Sequence, residues 1–199
     1  MGQVSEPRLH RREVVARLLE GRGDDLLVVT GLGSPTYDTF AAGDHPGNFY
    51  LWGAMGGAAL VGLGLAQAQP TRQVAVITGD GEQLMGLGGL ATIAVQKPAN
   101  LSIVVLDNGH YGETGGQLSH SGAGVDLAAV AQACGIPEVM DVGNMAGVDR
   151  ARAALSASGK GPRMIVVRIV NEEAPRSLPS RDGTWLKARM RAHLGLGPN

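Results

Sequence analysis

Apolar residues follow two rhythms along this 199-residue chain. Strands are expected at residues 138–142 and 163–170, and short continuous apolar runs fall at 26–30, 74–78 and 101–108. Their length and Val/Ile/Leu content suit strands buried on both faces. Between them lie stretches with helical spacing, which predict helices over residues 8–20, 54–69, 82–96, 126–134, 146–158 and 183–194. A short extended piece is expected at residues 48–52. The turn Gly31-Leu32-Gly33-Ser34-Pro35 opens a short helix, with Ser34 expected as N-cap and Pro35 at the first helical position. Residues 109–124 read as a glycine-rich loop. Alternation of this kind predicts an α/β fold, a mainly parallel sheet with helices on both faces. No repeat or low-complexity linker divides the chain. One domain is expected over residues 1–199, with a tail from about residue 171 that ends in a helix.

Composition narrows the function classes. Seventeen basic and 18 acidic residues leave a net charge of −1, with no basic surface for nucleic acid and none for a membrane. The single cysteine, Cys134, excludes an internal disulfide framework and a self-contained iron–sulfur cluster, and is expected to be an inert buried thiol. Residues 51–68 are apolar enough to resemble a membrane span, but their glycines favour a helix packed closely on a neighbour. The charged first 25 residues do not read as a signal peptide, so a soluble cytoplasmic protein is expected. With 31 glycines and only 4% aromatic residues, the chain should make close backbone approaches around an aliphatic core.

The candidate chemistry sits at two strand ends. Gly79-Asp80-Gly81 closes one apolar run, and Asn108 closes the next, 28 positions after Asp80. Adjacent parallel strands would bring both residues to the carboxyl edge, where open α/β sheets bind ligands. A carboxylate and an amide oxygen there suit Mg2+, which keeps water and substrate phosphate as its other ligands. Glycines let phosphate oxygens approach the backbone.

This pattern resembles the cofactor signature of thiamine diphosphate enzymes. The resemblance is strengthened by Asn48-Phe49-Tyr50-Leu51-Trp52-Gly53-Ala54-Met55-Gly56, by Leu90-Ala91-Thr92-Ile93-Ala94 with Lys97-Pro98-Ala99-Asn100-Leu101, and by Asp107 to Gln117. The last segment is similar to sulfopyruvate and phosphonopyruvate decarboxylases. The matching region runs over about residues 26–120. The resemblance implies the thiamine diphosphate-binding fold, specifically its diphosphate-binding domain, with thiamine diphosphate and Mg2+ as cofactors. It implies metal ligation by the Asp80 carboxylate, the Asn108 side-chain oxygen and the peptide oxygen of His110. Gly79, Gly81, Glu82 and Gln83 would present amides to the diphosphate, the side chains of Glu82 and Gln83 being equally well read as solvated. Gly31, Gly33 and Ser34 would hold its other side, and Tyr111 and Gly112 would close over the cofactor. Met55 would wedge beneath it to enforce a V shape, and the carbonyl of Gly53 would accept from its amino group. Glu113 would deliver a proton near the substrate. His120 and Thr114 lie on the same loop, whereas His45 reads as a surface residue.

Members of the family take a glutamate from a second domain of similar fold to activate the cofactor. One set of diphosphate motifs implies that this chain is a β subunit, with an α subunit supplying that glutamate in a hetero-oligomer. The implied reaction is decarboxylation of a small 2-oxo acid, sulfopyruvate or phosphonopyruvate foremost. A carboligase of the acetolactate-synthase type, an oxidoreductase subunit and a non-catalytic cofactor-binding subunit are the alternatives. An unrelated nucleotide-binding protein is disfavoured, because no Walker lysine and no GxGxxG follow a strand.

Overall fold

A computed structural model of the chain describes residues 9–197. The five expected strands and the short piece near residue 48 become strands β1 (Leu26–Thr30), β2 (Asn48–Tyr50), β3 (Gln73–Gly79), β4 (Leu101–Asp107), β7 (Glu138–Val142) and β8 (Arg163–Arg168). They form one sheet in the order β2-β1-β3-β4-β8-β7, and every pairing is parallel. All seven positions of β4 are buried, as expected of a central strand covered on both sides.

Alternate residues feed two cores. On one face Val74, Val76, Ile103 and Val105 pack with helices α3 (Ala58–Ala68), α5 (Gly89–Gln96) and α6 (Leu127–Ala133). On the other, Ala75, Ile77, Val104 and Leu106 meet α1 (Arg11–Leu19) and α7 (Met145–Leu155). Gly62 lets α3 lie directly on β3, since a Cβ there would stand 2.2 Å from Val76 Cγ2. The remaining helices are α2 (Ser34–Ala41), α4 (Asp80–Met85) and α8 (Gly183–His193). Helix α8 follows an irregular stretch at residues 171–182 and covers the β2 edge, where Arg189 bonds Asp44 and the carbonyl of Asn48. No helix among the described residues is long and apolar enough to cross a membrane.

Several expectations need correction. The helix predicted from residue 54 begins at Ala58, because Gly53 and Gly56 take φ of 71° and 93°, which no helix accommodates. The helix predicted over residues 82–96 is two, α4 and α5. Gly86, between them, passes so near Gly56 that a Cβ would lie 2.1 Å from its carbonyl oxygen. Gly33, not Ser34, is the N-cap of α2; its φ of 81° suits glycine, and Ser34 is already helical. The loop at residues 109–124 contains a small antiparallel hairpin, β5 (His110–Tyr111) and β6 (Gln117–Leu118), joined through a 3-10 turn at Gly112–Thr114. Cys134 is half-buried at the end of α6 rather than enclosed. The first helix starts at Arg11; Arg8, where it was expected to begin, lies outside the described residues, as do the last two residues of the tail.

Candidate functional site

The chain runs from β1 outward to β2, then back across β1 to β3, so the sheet order reverses between β1 and β3. A crevice at the carboxyl ends of the strands follows from that reversal. The cleft there holds about 580 Å³ of space free of protein, open mouth included. Asp80 and Asn108 both line it, because β3 and β4 pair in a register that sets Gly79 beside Leu106. Ser34, Met55, Gly79, Gly81, Glu82, His110, Tyr111, Gly112 and Glu113 line it too. Gly31, Gly33, Gly53 and Gln83 do not. Thr114 reaches the cleft, His120 touches it only through Tyr111, and His45 sits elsewhere, bonded to Asp24.

Asp80 is 2% exposed and opens α4. Burial pushes its carboxyl pKa up, the Ser119 hydroxyl opposes that, and the neighbouring Asp107 charge adds to it. Ser119 and Ser121 donate to Asp80 Oδ2 at 2.5 and 2.9 Å. Asp107, at the end of β4, is held by Arg168 at 2.6 Å and by the Gly109 amide at 3.1 Å. Asn108 forms a side-chain turn: its Oδ1 accepts from the His110 amide at 3.0 Å, and its amide nitrogen donates to Asn171 at 3.2 Å. These bonds settle which end of the Asn108 amide is oxygen, and that oxygen retains a second lone pair.

Glu82 does something the sequence did not announce. It is 4% exposed, so the solvated reading of its side chain is wrong. Its Oε2 accepts from the Leu32 amide and the Thr78 hydroxyl, both at 3.0 Å, and its Oε1 accepts from the Ala58 amide at 3.4 Å. One carboxylate thus ties together the turn after β1, the end of β3 and the start of α3. Burial raises its pKa, against the pull of those donors. Gly31 is required by this arrangement, since a Cβ would sit 1.7 Å from Glu82 Oε2. Gln83 is likewise buried rather than solvated, at 2% exposure, and its amide has no partner among the described residues.

The loop after β4 packs on glycines of the opposite wall. The Tyr111 ring covers Gly81, where a Cβ would come within 2.6 Å, and its hydroxyl meets His120 Nδ1 at 3.1 Å. The Glu113 side chain lies over Gly33, again 2.6 Å from a notional Cβ, with Arg176 3.9 Å from its carboxylate. Arg11 also lines the cleft while bonding the buried Asp38 at 2.5 Å. Ser119, Ser121 and Arg11 were missed by sequence reasoning. The two serines were one more pair of polar residues in a loop, and Arg11 is remote from every motif.

The donor set fits a hard cation. Asp80, Asn108 and the peptide oxygen of His110 offer one carboxylate and two neutral oxygens, the ligand type Mg2+ accepts. Among the described residues no group of three or more His, Cys, Asp or Glu side chains could hold a metal alone. Such a cation would need phosphate and water to complete its shell, which is what the glycine-walled cleft leaves room for.

Comparison with known proteins agrees with this geometry. The family described as thiamine pyrophosphate enzyme, C-terminal TPP binding domain, matches residues 35–167. The sulfopyruvate decarboxylase subunit beta of Methanothermobacter thermautotrophicus is 46% identical over 127 residues, 64% of this chain and 67% of that protein. The corresponding subunit of Methanococcus maripaludis is 36% identical over 84% of this chain and 89% of its own length. The phosphonopyruvate decarboxylase of Streptomyces hygroscopicus is 43% identical over 80% of this chain, which spans only 39% of that longer protein. In structure, the thiamine diphosphate-dependent 4-hydroxybenzoylformate decarboxylase of Rhodococcus jostii RHA1 superposes with a TM-score of 0.68 at 24% identity, over 84% of this chain and 34% of that one, a likeness that carries the fold. A family match over most of the strands leads to one conclusion: the chain belongs to the thiamine pyrophosphate enzymes, as their C-terminal TPP-binding domain.

Proposed function

We propose that this chain is the β subunit of a two-subunit, Mg2+-dependent thiamine diphosphate decarboxylase acting on sulfopyruvate or phosphonopyruvate. The observation that carries this reading is the joint occurrence of Asp80, Asn108 and Met55 in one cleft of a chain similar to decarboxylases of both substrates. Similarity to a sulfopyruvate decarboxylase subunit named beta, over 89% of its length, supports the two-subunit form.

In this reading Asp80, Asn108 and the carbonyl of His110 hold the metal. Gly79, Gly81 and the amide of Glu82 would receive the diphosphate on one side and Ser34 on the other, whereas Gly31, Gly33 and Gln83 do not line the cleft and would act only through the residues that do. Met55, which lines the cleft, would bear on the rings, and the Gly53 carbonyl is the acceptor that the resemblance implies for the amino group. Thiamine diphosphate, when bound, supplies an electron sink for the bond broken as carbon dioxide leaves. Tyr111 and Gly112 would exclude water from the reacting atoms, and Glu113 would be the group placed to deliver a proton there. The activating glutamate comes from an α subunit, so the active site lies between two chains.

The test is to isolate the chain with the protein that co-purifies, then add thiamine diphosphate, Mg2+ and each 2-oxo acid. Stoichiometric carbon dioxide and free aldehyde are expected from the pair and not from the chain alone. A condensed hydroxyketone as the main product would instead identify a carboligase. Full turnover by the lone chain would remove the α subunit from the argument.

A further inference from the structure

Asp80 is held by one oxygen. Ser119 is completely buried and donates to Asp80 Oδ2 at 2.5 Å; Ser121 lies 2.9 Å from the same atom. Ser121 Oγ also stands 2.8 Å from Asp107 Oδ1 and carries a single proton. Asp107 already has the Arg168 guanidinium at 2.6 Å and the Gly109 amide at 3.1 Å. Among the described residues Asp80 has no cation of its own, so the Ser121 proton stabilises more charge there than on Asp107 or on the neutral Ser119 hydroxyl 2.9 Å away. Among the described residues no other side chain donates to Asp80 Oδ1, and Asp80 lines the cleft.

We infer that Ser119 and Ser121 are positioning residues for the metal: they hold Asp80 by Oδ2 and leave Oδ1 as its single metal-binding oxygen. The inference rests on the cofactor reading above and adds two residues and a selectivity to it. A carboxylate carrying two hydroxyl protons on one oxygen cannot swing both oxygens onto a cation without breaking those bonds. One-oxygen ligation suits the small octahedral shell of Mg2+, whereas Ca2+ takes more oxygens and accepts two from one carboxylate. Groups that orient a ligand in this way typically control metal affinity by about 10–100-fold.

The hydroxyls also belong to the loop that roofs the cleft. Ser119 donates its amide to the Gly109 carbonyl at 2.8 Å, and Gly122 packs so closely on Gly109 that a Cβ would lie 2.4 Å from the same oxygen. The end of the hairpin that carries Tyr111 and Glu113 is therefore anchored to the carboxylate proposed to bind metal.

The test uses the full-length chain in whatever complex it purifies in, with thiamine diphosphate present, titrated calorimetrically with Mg2+ and separately with Ca2+. Ser119→Ala is expected to weaken Mg2+ binding by about tenfold or more and Ca2+ binding by less, so that the preference for Mg2+ falls. Ser121→Ala should do the same to a smaller degree, and because Ser121 is only partly buried it serves if Ser119→Ala does not fold. Ser119→Thr, which keeps the hydroxyl, should restore the preference. Unchanged Mg2+ affinity in folded Ser119→Ala or Ser121→Ala, with normal binding by the wild type, would overturn the positioning role alone. An equal loss of both metals, not rescued by Ser119→Thr, would overturn it too. Failure of the wild-type complex to bind either metal would sink the cofactor reading, and this inference with it.

Discussion

The turn after β3 and the loop after β4 face each other across one cleft, and they are built by opposite means. From Gly79 to Gln83 the chain is almost sealed: Asp80, Glu82 and Gln83 are 2%, 4% and 2% exposed, and both carboxylates are hydrogen-bonded. From Gly112 to Leu118 every residue is exposed, the hairpin strands are two residues long, and Gly115 and Gly116 adopt positive φ. Burying carboxylates is expensive unless donors surround them. Here all of those donors but Thr78 come from distant segments, so the β3 turn holds its shape only when the domain is folded. The β4 loop needs little from the domain beyond its anchors at Gly109, Ser119 and Ser121. The difference separates a rigid wall proposed to hold cofactor from a lightly attached wall proposed to cover it.

Substitutions on the two walls should therefore have different consequences. The largest effect is expected at Asp80. Asp80→Ala should lower the decarboxylation rate of the assembled enzyme by more than about 100-fold, exceeding what the loss of an orienting partner costs. A rate within tenfold of wild type at saturating Mg2+ would remove Asp80 from the metal site.

Next comes Glu82. Glu82→Ala leaves the Leu32 and Ala58 amides and the Thr78 hydroxyl without their acceptor and should destabilise the fold by about 3 kcal/mol in urea melts. The same residue has a pH signature. Burial holds its carboxyl pKa above the ordinary 4.5, so the folded chain binds more protons than the unfolded one. Stability contributed by this group is complete below the unfolded value and is lost as pH rises through the folded value. Relative to Glu82→Gln, which does not titrate, the wild type should lose stability as pH rises above the ordinary carboxyl value of 4.5. A constant difference as pH rises would contradict the burial argument.

Gly86→Ala should follow. Its Cβ would press on the backbone of Gly56, not on a movable side chain, so a cost of about 2 kcal/mol is expected in the melting curve. The smallest effect belongs to the exposed wall. Glu113→Gln disturbs a half-exposed carboxylate whose partner Arg176 is 3.9 Å away and largely in solvent, and stability should change by less than about 0.5 kcal/mol. A large loss there would show that the β4 loop is as integral as the β3 turn.

Much of this wall-by-wall contrast was invisible in one dimension. The apolar runs disclosed their strands nearly to the residue, Leu26–Thr30 at both ends, because a strand covered on two faces has few polar positions to blur its limits. Helix starts were less legible. Gly53, Gly56 and Gly86 interrupt otherwise helical spacing, and only their φ values or near contacts explain why the helix stops. The motif residues Asp80 and Asn108 could be placed together, since adjacent parallel strands leave their carboxyl ends side by side. What Asp80 bonds to could not be placed, because Ser119 and Ser121 lie some 40 positions away with no spacing rule to link them.

Sequence alone determined the layered parallel sheet, the family signature and the two oxygen donors at its edge. These depend on local periodicity and on motifs short enough to be read directly. Tertiary structure decided that Glu82 binds three segments into one wall, that two serines grip a single oxygen of Asp80, and that Gly31 and Gly81 leave space for Glu82 and Tyr111. Those facts concern distances between segments remote in the chain, and a buried polar group finds its partner only when packing has brought that partner within hydrogen-bonding reach.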